Sequence, residues 1–140
     1  MRKIKTIAIA ILIITVAMMG TYMGATAAGT TKNENWYQKY WCLERRGQSE
    51  VTMPDGATRC DCLTSQHAIE FDFGPKWAEA IGQSLYYALQ TGKRAGIVLI
   101  LKKPVERRYW IRLNTVIDHF KMPIDAWKIE TWENGPQKAP

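Results

Sequence analysis

His67-Ala68-Ile69-Glu70-Phe71-Asp72-Phe73, closed by Gly74-Pro75, is the stretch on which the fold turns. Ile69, Phe71 and Phe73 fall on one side of an extended chain, and Ala68, Glu70 and Asp72 fall on the other, because successive strand side chains point to opposite faces. The pattern predicts a strand with two carboxylates on one face. Just upstream, residues 50–53 and 58–64 read as two strands joined by the turn Pro54-Asp55-Gly56, where proline and glycine supply the turn geometry. Pairing of the second and third strands through Ser65-Gln66 sets Asp61 beside Glu70 on a shared face.

Downstream, residues 76–91 read as a helix with Pro75 at its entry and Gly92 just past its end. Trp77, Ile81, Ser84, Leu85 and Ala88 form its buried stripe, while Lys76, Gln83 and Tyr87 stack along another side, towards the carboxylates. The unbroken apolar run 95–101 predicts a strand covered on both faces and central to the sheet. Residues 35–46 read as an opening helix ended by Gly47; 106–120 give a further amphipathic helix and 125–132 a last strand. Strands alternating with helices make this an α/β protein with a mixed sheet.

Carboxylates arriving from adjacent strands are hard oxygen ligands for a divalent cation of the kind that assists phosphodiester hydrolysis. Glu50 and Asp61, taken singly, also suit polar positions on a half-solvated sheet. Glu70 with Asp72 is different, since like charges on one strand face repel unless something cationic offsets them. Lys76 is a solvated helix-start residue or that cation, although a lysine there opposes the helix dipole. Gln83 and Tyr87 are boundary residues or substrate-orienting ones.

The order helix, hairpin, acidic strand, helix with Gln-x-x-x-Tyr, apolar strand resembles the PD-(D/E)xK nuclease superfamily in its RecB-like branch, across residues 36–132. The resemblance implies a restriction-endonuclease-like three-layer core, a mixed sheet flanked by helices. It implies Asp61 and Glu70 as the acidic pair, Glu50 completing a Mg or Mn site, and Gln83 and Tyr87 orienting the substrate or the active-site lysine. In the family a lysine stands two residues after the acidic residue; here that position is Asp72. Lys76 is then a relocated catalytic lysine, Asp72 is a further metal ligand, or the chain has lost catalysis. The expected function is an exported metal-dependent nuclease acting on nucleic acid, DNA ahead of RNA. The alternative is an inactive nuclease-fold binding module or a periplasmic partner protein.

Arg2, Lys3 and Lys5 precede an apolar run over 7–19, and Ala25-Thr26-Ala27 supplies small residues before a cleavage point, so 1–27 reads as a signal peptide. The run is short for a membrane span. Cleavage predicts a periplasmic or secreted domain from residue 28, without lasting membrane association and with a disordered polar tail from about residue 133. The chain carries a net +6, and without the three leader cations about +3, which is modest support for a polyanionic partner. Lys102, Lys103, Arg107, Arg108 and Arg112, interleaved with Tyr109 and Trp110, suit phosphate contact and base stacking.

In an oxidising compartment Cys42 pairs with Cys60 or with Cys62, leaving one thiol. By alternation Cys60 and Cys62 both point away from the Asp61 face. Three cysteines are too few for a structural zinc site, and neither His67 nor His119 is assigned a metal role.

Overall fold

The computed structural model describes residues 32–132; the leader expected at 1–27 and the tail from 133 lie outside the described residues. In chain order these residues form α1 (Glu34–Glu44), β1 (Gln48–Thr52), β2 (Arg59–Leu63), β3 (His67–Phe73), α2 (Trp77–Thr91), β4 (Arg94–Leu101), α3 (Arg107–His119) and β5 (Ile124–Glu130). Single 3-10 turns, Gly74–Lys76 and Pro104–Glu106, lead into α2 and α3. Spatial strand order follows chain order. The first three strands are antiparallel neighbours, joined by short turns, while β3, β4 and β5 run parallel. Each parallel step crosses through a helix, as parallel pairs require. The protein is thus α/β, with a five-stranded mixed sheet and three helices.

β4 is buried from Ala95 to Leu101. Its Ile97, Leu99 and Leu101 pack with Ala80 of α2 and with Leu113 and Ile117 of α3. Val98 and Ile100 pack with Ile69, Phe71 and Trp41 of α1. An apolar run buried on both faces is the physical reason the sequence shows no alternation there. At Gly96 the strand leaves no room for a side chain, since a Cβ would lie 2.8 Å from Ile69 Cγ1 and 3.1 Å from Trp127 Cζ3.

α1 opens on Asn33, whose side chain accepts the Trp36 N–H at 3.2 Å, one of the otherwise unpaired first-turn donors. It stops at Glu44, two residues before the expected end, because Arg46 turns into the left-handed region at φ +54°. Among the described residues no helix is long and apolar enough to cross a membrane.

Cys42 of α1 is bonded to Cys62 of β2, and Cys60 is a buried free thiol. The expectation that Cys60 and Cys62 share a face is corrected. Cys62 lies with Trp41, Ile69 and Phe71, whereas Cys60 lies with Met53, Ala68 and Tyr87 on the α2 side. The pleat is broken between them. The β1–β2 ladder pairs Ser49 with Cys62 and Val51 with Cys60 but skips the Glu50–Asp61 position, where Glu50 adopts φ +57°. Cross-linking residues 20 apart removes freedom from the unfolded chain, so Cys42→Ser is expected to cost about 3 kcal/mol. Guanidinium unfolding of wild type and variant checks this; coincident midpoints would contradict it.

Candidate functional site

The β2–β3 register pairs Cys62 with Ile69 and Leu63 with Ala68, so one further step along each strand brings Asp61 to Glu70. Asp61 Oδ2 accepts the Phe71 N–H at 2.8 Å. Glu70 and Asp72 share the other β3 face and are only 6% and 2% exposed. Where β3 ends, the 3-10 turn carries Lys76 back so that its Nζ stands 3.6 Å from Asp72 Oδ1, with the lysine itself 58% exposed. Asp61, Glu70, Asp72 and Lys76 are therefore brought together.

The electrostatics of this cluster are those of carboxylates short of positive charge. Burial pushes Glu70 up, and the charges of Asp61, Asp72 and Glu34 add to the effect. Burial likewise raises Asp61, against the Phe71 N–H that favours its ionised form. Asp72 is raised by burial and partly restored by Lys76. The Lys76 ammonium is stabilised first by Asp72 and then by Glu79. Glu70 Oε2 is buried without a hydrogen-bond partner among the described residues, a costly state for a carboxyl oxygen.

α1 adds two residues that sequence reading passed over. Glu34 is raised to about 7, by burial first and then by Asp72 and Asp61, with Lys76 opposing. Gln38, 2% exposed, donates from Nε2 to Glu50 Oε1 at 2.7 Å and to the Asp61 carbonyl at 2.6 Å. Glu34 and Gln38 lie four apart and so on one side of the helix. That spacing, just after the Asn33 cap, is the sequence signal that could have found them. Glu50 joins the cluster from its rim, since it pairs with Arg59 and its side chain is 37% exposed.

Tyr87, 5% exposed, packs with Met53, Cys60 and Ala68. Burial raises its phenol, and the charges of Glu70 and Asp61 raise it further. Gln83 is half-buried and stays outside their hydrogen bonds. His67 sits at the opposite end of β3, where Nε2 lies 2.7 Å from Asp125 Oδ2, and Arg94 grips the same carboxylate at 2.7 and 2.8 Å.

A hard divalent cation suits this donor set, which is all oxygen and includes the unpartnered Glu70 Oε2. Among the described residues no three such side chains are grouped tightly enough to ligate a metal as they stand. No family model matches the chain, and no curated protein and no solved structure matches it either.

Proposed function

We propose that this chain is an exported, Mg- or Mn-dependent nuclease of the PD-(D/E)xK kind, hydrolysing phosphodiester bonds of nucleic acid, with DNA preferred over RNA. The observation that carries the reading is the half-buried Asp61 with the buried Glu70 and Asp72 at two neighbouring strands, and Lys76 at 3.6 Å from Asp72. The order α1, hairpin, acidic β3, α2, apolar β4 supports a restriction-endonuclease-like core, as do helices packed on both sheet faces. The Cys42–Cys62 disulfide supports export to the periplasm or beyond, since such bonds persist in oxidising compartments.

Asp61, Glu70 and Asp72, with Glu50 at the rim, would hold the ion. A bound divalent cation would offset phosphate charge and acidify a coordinated water. Lys76 supplies the fixed positive charge against which the phosphate is placed, and Tyr87 with Gln83 orients the substrate. The second reading, a nuclease-fold module that binds without cutting, is favoured by Asp72 standing at the family's lysine position.

The test is cleavage of supercoiled plasmid, single-stranded DNA and RNA by the purified protein with Mg, Mn or chelator, and Asp61→Asn as control. Metal-dependent cutting by wild type alone is expected, together with a rise in melting temperature on adding either metal, by linkage. A folded protein that cuts none of the three substrates and gains no stability from metal would overturn the proposal.

A further inference from the structure

Where β3 and β4 end side by side, the sequence supplies cations in quick succession. Lys102 and Lys103 leave β4, a 3-10 turn follows, and Arg108 and Arg112 come one turn apart on α3. Gly74 ties this region to the acidic cluster. A Cβ there would lie 2.9 Å from Tyr109 Cδ2 and 3.1 Å from Leu101 Cδ2, so the Tyr109 ring rests on the backbone between Asp72 and Lys76. Lys102 Nζ stands 3.7 Å from the ring centre of Phe73, the residue directly after Asp72. The guanidiniums of Arg108 and Arg112 lie 4.8 and 5.8 Å from the centre of Tyr109, and Arg108 Nη2 donates to the Tyr109 hydroxyl at 2.9 Å.

Opposing charge is limited. Glu106 accepts the Lys102 backbone N–H at 2.7 Å, and Glu130 is engaged by Arg107 and Lys128. Lys102, Lys103, Arg108 and Arg112 are exposed and form no ion pair with a carboxylate among the described residues. The aromatics, expected from sequence to stack on bases, are already taken. Phe73 lies under Lys102, Tyr109 lies between Gly74 and two guanidiniums, and Trp110 packs against the core. What this surface offers a nucleic acid is charge, and phosphate contacts position a strand without reading its bases.

We infer that Lys102, Lys103, Arg108 and Arg112 form a track that holds a phosphodiester backbone and leads it, regardless of base sequence, to the carboxylate cluster. The partner's identity rests on the nuclease reading; the track itself rests on the placement of Lys102, Arg108 and Arg112 about Phe73, Gly74 and Tyr109, with Lys103 exposed next to Lys102 in the chain.

The experiment is fluorescence anisotropy of short labelled DNA duplexes of differing sequence, with divalent cations chelated so that no cleavage intervenes. Wild type is compared with the quadruple variant Lys102→Gln, Lys103→Gln, Arg108→Gln, Arg112→Gln and with a surface control, Lys39→Gln, Lys93→Gln. Melting curves verify that both variants fold. The quadruple variant is expected to lose about tenfold or more in affinity at low salt, equally for every sequence, and its slope of log affinity against log salt should flatten by about 3 to 4. Control binding equal to wild type is expected. No wild-type binding, an unchanged slope in the quadruple variant, an equal loss in the control, or track-dependent binding to anionic vesicles in place of duplex would each overturn the track. Track-dependent binding without cleavage in Mg or Mn would sustain the track and sink the nuclease reading alone.

Discussion

Glu70→Gln is expected to abolish cleavage and the metal response while making the metal-free protein more stable than wild type above neutral pH. Burial holds the Glu70 carboxyl well above its ordinary value of 4.5. The folded chain therefore keeps a proton that the unfolded chain has released. Stability of the wild type accordingly falls as pH rises through the interval between the two values, because the unfolded state binds fewer protons there. Glutamine fills the same space and cannot ionise, so the variant should match wild type in mild acid and exceed it at alkaline pH. Adding Mg or Mn reverses the order, since only wild type gains a ligand. The loss of rate should be on the order of a hundredfold or more, the usual consequence of removing a group that holds transition-state charge in a metal-assisted displacement. Melting temperatures across the pH range, with and without metal, read the two stability effects, and a cleavage assay reads the rate; a variant that keeps the wild-type pH profile would show that Glu70 is not the group holding the proton.

Lys76→Ala should cost about a hundredfold in rate with little loss of fold. Its side chain is 58% exposed and it pairs with Asp72, so little packing goes with it. The paired change Asp72→Lys, made in that background, puts an ammonium on the β3 face that carries Glu70. Opposite charges nearby favour the ionised lysine, and with Asp61, Glu70 and Glu50 still present to hold the ion, partial recovery of rate is the expected result. Single-turnover cleavage by the two variants separates the possibilities. Undiminished cleavage by Lys76→Ala would remove the relocated-lysine mechanism and leave Asp72 as a plain metal ligand.

The scaffold was legible because its signals are local. β3 announces itself by alternation, β4 by an unbroken apolar run, and α2 by Pro75 and Gly92 at its ends. Pairing of neighbouring strands then brings Asp61 towards Glu70, as read from the short Ser65-Gln66 turn. The α1 contribution was not legible in the same way. Glu34 reaches the cluster, and Gln38 reaches Asp61, across more than twenty positions of chain. No periodicity reports a contact of that range. The facing of Cys60 was lost for a different reason, because alternation assumes a regular pleat and the pleat breaks at Glu50 and Asp61. The basic stretch was legible as charge but not as chemistry: its rings turn out to be seats for its own cations.

Glu50 also bears on how copies of this protein treat one another. β1 is an outer strand of only five residues with four of them exposed, and such an edge offers its unpaired backbone groups to any passing chain. A glutamate in the left-handed region at the middle of that strand, a conformation costing about 1–3 kcal/mol in itself, turns one peptide out of line and places a charge on the rim. A second chain then finds no straight run to extend. Glu50→Gly would tolerate the same backbone and keep the edge broken, whereas Glu50→Val would favour a flat, uncharged strand. Bend and charge at Glu50 thus leave the outer edge of the sheet poorly shaped for another strand to pair with.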